Sequence, residues 1–75
     1  MKVKELIEAL NLLNPELMVV IDGYEGGVNE ADMVEVVPVA LDVNDEWYYG
    51  QHEVVDHDEE ARYEGYTVVQ AAKIV

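Results

Sequence analysis

The chain contains no cysteine, no serine and no phenylalanine, and only four of its 75 residues are basic. Without cysteine there are neither disulfides nor thiolate metal sites, so packing alone must hold so small a domain. That composition suits a reducing compartment, and a cytoplasmic setting is expected. With Thr67 as the single threonine, a hydroxyl or thiol nucleophile is nearly excluded, and the chain does not read as an enzyme. No apolar run approaches the roughly 20 residues of a membrane-crossing helix, and no secretory segment follows the N-terminus. The basic residues, Lys2, Lys4, Arg62 and Lys73, sit near the ends, whereas Glu5 to Ala61 holds sixteen acidic residues and no Lys or Arg. The resulting field, at a formal net charge of -13, repels nucleic acid and anionic lipid and attracts cations and basic protein surfaces. Neither nucleic acid nor a membrane is therefore expected as a direct partner.

What is present is apolar enough to fold, at 51% of residues, so the charge does not imply disorder. The length allows a single domain, residues 1 to 75, burying only about 60% of its unfolded surface. Val3, Leu6, Ile7, Leu10 and Leu13 recur at helical spacing opposite Lys4, Glu5, Glu8 and Asn11, which predicts an amphipathic helix over 3–13. Asn14-Pro15 stops it; nothing before Val3 caps it. Leu17 to Asp22 reads as a strand, Gly23 to Gly27 as a loop, and Met33 to Val43 as a second strand. Pro38, lacking an N–H, predicts that this second strand lies at an edge or carries a bulge. Residues 44 to 65 read mainly as an ordered loop with a short strand at Trp47 to Tyr49, and Tyr66 to Val75 as a final strand. The expected class is α+β, with one N-terminal amphipathic helix packed on a small, mainly antiparallel sheet of three or four strands. Val34, Val36 and Ala40 point opposite to Val37, Val39 and Leu41, so both faces of the second strand need cover. Either the segment 45–64 or a second subunit supplies it, and a homodimer is expected.

Several constellations invite a chemical reading. His52-Glu53-Val-Val-Asp56-His57 approaches the HExxH zinc pattern but is one residue too long. Histidines five apart diverge by roughly 140° on a helix, so they read as surface groups among carboxylates. Asp42, Asn44 and Glu46, with Glu53 at the twelfth place, sketch a calcium loop, but Trp47 stands where such a loop needs Gly. Asp42, Asn44, His52, Glu53 and His57 remain the alternative metal set; no metal or other cofactor is expected. Gly23, Tyr24, Glu25, Gly26 and Gly27 lack the lysine of a phosphate cradle and carry an acid instead.

Trp47-Tyr48-Tyr49 is the densest aromatic cluster, suited either to an interface, where large rings bury area at little entropy cost, or to covering the sheet. Asp56, Asp58 and Glu60, if extended, would line up at about 6.7 Å intervals, with Glu46 and Glu53 extending the row. That row offers a route to imitating the charge of nucleic acid, against the plainer reading that the acids keep the domain soluble. Together with the helix, the Asp22-Gly-Tyr-Glu-Gly-Gly27 and Trp47-Tyr-Tyr-Gly50-x-His52-Glu53 stretches make most of the chain similar to short acidic proteins encoded in bacterial and phage genomes. The resemblance implies an α+β fold and a phage or prophage setting, and brings no activity and no site residues. In such a setting the expected function is a binding module contacting the basic surface of a host protein, an inhibitor of a nucleic-acid-handling or defence protein. Trp47, Tyr48, Tyr49, Glu46, Glu53, Asp56, Asp58, Glu59 and Glu60 are the expected contact residues, and a small metal- or ligand-binding domain using 42–60 is the alternative.

Overall fold

The N-terminal apolar stripe forms helix α1, Val3–Leu10, in a computed structural model that describes residues 1–75. The Glu5 carboxylate accepts a hydrogen bond from the Lys2 backbone N–H at 3.4 Å, which partly replaces the missing cap. The helix ends three residues earlier than its apolar period. Leu12 and Leu13 donate to the carbonyls of Ala9 and Leu10 (3.3 and 3.0 Å), tightening the last turn before Asn14, whose Oδ1 accepts from the Glu16 N–H at 2.9 Å. That Asx turn and Pro15 together redirect the chain.

Two compact units follow from the contacts, Met1–Met33 with Ile74–Val75, and Val34–Lys73. In the first, β1 (Val20–Asp22) and β2 (Val28–Glu30) form an antiparallel hairpin with Val20 opposite Glu30 and Asp22 opposite Val28. The glycine-rich loop is its turn. Gly23 N–H donates to the Gly27 carbonyl at 2.9 Å, Gly26 and Gly27 have φ of 136° and 64°, and a Cβ on Gly23 would lie 2.4 Å from the Gly26 oxygen. Ala31 N–H continues the ladder to Val19 O at 2.8 Å, and Met33 and Val75 exchange hydrogen bonds of 3.0 and 2.9 Å. The α1 helix buries none of its side chains.

The second unit holds β3 (Val34–Ala40), β4 (Glu53–Val54) and most of β5 (Val68–Ile74), in the order β4-β3-β5. β3 is therefore central, not an edge, and the way Pro38 is tolerated explains why. Along an antiparallel strand, ladder bonds alternate from side to side, and Pro38 faces β4. Its carbonyl accepts from Val55 N–H at 2.9 Å, but it has no N–H to return. The regular β3–β4 pairing accordingly spans only Val39 with Val54 and Ala40 with Glu53. On the other side, where β3 needs its donors, Leu41 N–H reaches Thr67 O at 2.8 Å.

The segment 44–65 departs from an irregular loop in two places: β4, and a 3₁₀ helix, His57–Tyr63, interrupted at Glu59. Trp47 to Tyr49 is a turn rather than a strand, closed by Tyr49 N–H to Glu46 O at 3.1 Å. Ala40 and Tyr63 are the two buried side chains of the chain. Tyr63, from the 45–64 segment, is buried with its ring centroid 6.5 Å from that of Tyr66, while Val34 and Val36 stay exposed. The α+β class, with one N-terminal helix and small antiparallel sheets, stands as the sequence predicts. No helix is long and apolar enough to cross a membrane.

Candidate functional site

The connection from β3 to β4 is a loop with a hydrogen-bonded neck and an aromatic tip. Beyond the Ala40–Glu53 pair, Asn44 N–H donates to Gln51 O at 3.1 Å. The chain thus advances four residues on the β3 side and two on the β4 side. Asp42, with φ 56°, absorbs the difference in the left-handed region that Asp tolerates better than most residues. Polar side chains then fasten the neck. The Asn44 amide donates to Gly50 O and to Glu53 Oε1, each at 2.8 Å. Gln51 Nε2 donates to Asp42 Oδ1, and Asp42 N–H donates to His52 Nδ1 at 2.9 Å.

At the tip, Trp47 and Tyr48 meet edge to face with ring centroids 5.6 Å apart and planes at 88°. Tyr48 and Tyr49 follow at 5.1 Å and 44°. The edge-to-face contact suits ring quadrupoles. None of the three covers the sheet: Trp47 is 92% exposed, and Tyr48 and Tyr49 are also largely open to solvent. The three rings stand in solvent rather than buried against the sheet.

The acids are less ordered into a row than an extended strand would make them. Asp58, Glu59 and Glu60 lie in the 3₁₀ segment, where residues three apart share a face, so the straight line of Asp56, Asp58 and Glu60 does not form. Instead His57 Nδ1 lies 3.8 Å from Glu60 Oε1 and Arg62 Nη1 3.7 Å from Glu59 Oε2. The guanidinium carbon of Arg62 also sits 5.6 Å from the Tyr63 ring centroid. Glu46, Asp56, Asp58, Glu59 and Glu60 are exposed, and Glu53 is half-buried against Asn44.

Of the alternative metal set, Asp42, Asn44, His52 and Glu53 do converge, but on the neck, where they bond to one another and to backbone. His57 is elsewhere, against Glu60. No three His, Asp or Glu side chains are placed to hold a cation together. Gly23 to Gly27 belong to the other unit as a hairpin turn with Tyr24 exposed at its end. The role of Gln51 and the backbone strain at Asp42 were not anticipated. The usable signal was a turn-forming Asp42-x-Asn44 on one side of the aromatics and polar Gln51-His52 on the other. Comparison with family models, curated proteins and solved structures finds no match for this chain.

Proposed function

We propose that the protein is a non-catalytic binding module that uses the 42–60 segment to engage the basic surface of a host protein. The supporting observation is the aromatic tip. Three consecutive aromatic residues are held out to solvent on a loop whose own side chains fasten its neck. Exposing rings is unfavourable by about 25 cal/mol per Å² of apolar surface, whereas Trp and Tyr are the residues that most often dominate interface energies. Fixing the loop beforehand lowers the ordering cost of association. The surrounding acids, with no free Lys or Arg between Glu5 and Ala61, steer a cationic partner and quicken encounter. Interference with a nucleic-acid-handling or defence protein follows if that cationic surface is one evolved for phosphates.

Affinity capture from a host lysate, comparing wild type with Trp47→Ala, tests this reading. Loss of a truncated aromatic anchor is expected to weaken binding by about 2 kcal/mol or more, roughly 30-fold, with the circular dichroism spectrum unchanged. Bound proteins should elute with rising salt. Identical capture by wild type and Trp47→Ala would sink the proposal.

A further inference from the structure

β5 (Val68–Ile74) is an outer strand of the sheet β4-β3-β5, with β3 on one side and no strand on the other. Leu41 N–H donates to Thr67 O, and Met33 and Val75 exchange hydrogen bonds, so the odd-numbered residues of β5 are those that bond to β3. Ladder bonds alternate from side to side. The N–H and C=O groups of Val68, Gln70, Ala72 and Ile74 therefore point away from the sheet. Such a row is a template for another strand unless charge, proline or a bulge guards it. Four of the five strands carry an acid: Asp22 in β1, Glu30 in β2, Glu35 in β3 and Glu53 in β4. β5 has none and no proline, and residues 65–75 are the longest stretch of the sequence without Asp or Glu.

Charge and register both select a second copy as the strand that docks there. Two chains of net charge -13 repel each other, and like charges set opposite one another across a ladder destabilise it. β5 is the one strand along which two copies meet without bringing acids together. A basic strand would find no acid on β5 and one Lys, and an acidic strand would be repelled by the rest of the chain. The strand also complements itself. With two β5 strands antiparallel about a two-fold axis at Ala71, Val68 pairs with Ile74 of the other copy and Gln70 with Ala72, each pair exchanging two hydrogen bonds. Val68 and Ile74, 46% and 36% exposed in the single chain, then lie side by side at both ends of the ladder, and Lys73 stands opposite Val69 rather than its own copy. With only Ala40 and Tyr63 buried and no disulfide, a chain this small gains from oligomerisation. We propose that β5 pairs with β5 of a second copy, antiparallel about Ala71, to make the continuous six-stranded sheet of a homodimer.

Proline separates the interface from the fold. Ala72→Pro removes an outward N–H, which an outer strand tolerates, whereas Ala71→Pro removes one that bonds to β3 and should disrupt the sheet itself. Sedimentation equilibrium of wild type should give a mass twice 8.5 kDa. Ala72→Pro, losing two hydrogen bonds per dimer, should raise the dissociation constant about 30-fold with its circular dichroism spectrum unchanged. Because the sequence has no cysteine, a single introduced one reports the register. Ala71→Cys sets two thiols beside the axis, on Cα atoms about 4.5 Å apart, and should cross-link on mild oxidation. Val68→Cys leaves them about 20 Å apart and should not. A wild-type chain that is monomeric at every concentration overturns the proposal and leaves the edge to a strand of another protein. An Ala72→Pro variant that stays folded and as dimeric as wild type also overturns it, as does cross-linking at Val68 equal to that at Ala71. Should Ala72→Pro unfold, the two cysteine variants decide the matter on their own.

Discussion

At the scale of single residues, the positions that matter most are those where a side chain would meet backbone or where backbone adopts a costly conformation. Gly23 and Gly50 make a controlled comparison. A methyl on Gly23 would strike the Gly26 carbonyl at 2.4 Å, whereas on Gly50 it meets nothing nearer than His52 O at 3.9 Å. Gly23→Ala is therefore expected to destabilise by about 1–3 kcal/mol. Gly50→Ala should be neutral or stabilise by about 0.4–1 kcal/mol through the unfolded state. Urea denaturation of the two variants beside wild type measures both signs. The glycine cluster was legible as a turn because three glycines in five residues have few other uses. What the residues could not reveal is which glycine is limited by space and which by φ. Asp42 was less legible still, because its φ of 56° arises from a mismatch between two strands that are separate in sequence.

Elements were legible where a period ran long enough. The stripe of α1 and the apolar runs of β3 and β5 announced themselves, whereas β2, Val28-Asn29-Glu30, and β4, Glu53-Val54, are too short and too polar to show alternation. They exist because a partner strand fixes them: β2 through the hairpin turn, β4 through the return of the loop. Pro38 shows the reverse problem, since its chemistry was read correctly and its place was not. A central strand accommodates proline where the neighbouring strand stops. Replacing Pro38 by Val supplies the missing N–H opposite Val55. Hydrogen exchange should then show a newly protected amide at residue 38 and slower exchange at Val55; an unprotected amide at 38 would mean the ladder ends there for another reason. The Trp47 to Tyr49 stretch was read as a strand because aromatic residues favour strands, but the Tyr49-to-Glu46 bond shows turn geometry winning over propensity.

For the whole molecule, charge was the most legible property and tertiary burial the least. A net charge of -13 met by a single Lys or Arg ion pair, Arg62 with Glu59, leaves the folded chain repelling itself. Added salt should raise its stability, because the Debye length falls from about 30 Å at 0.01 M to about 8 Å at 0.15 M. The urea midpoint should climb over that interval and flatten above it. A midpoint indifferent to sodium chloride would show that the acids are farther apart in effect than their density implies. Burial was not legible, because apolar composition records how much could be covered and not what covers it. Here only Ala40 and Tyr63 are buried.

The loop that links β3 to β4 has a consequence for how its chemistry can be transferred. Its side-chain bonds, from Asn44 to Gly50 and Glu53 and between Asp42 and Gln51, begin and end within residues 42–53. The information that sets the shape of the aromatic display is therefore local. A backbone-cyclised peptide spanning the neck would contain all of those bonds, so the loop is expected to be portable, keeping its shape apart from the strands that carry it or grafted onto another hairpin.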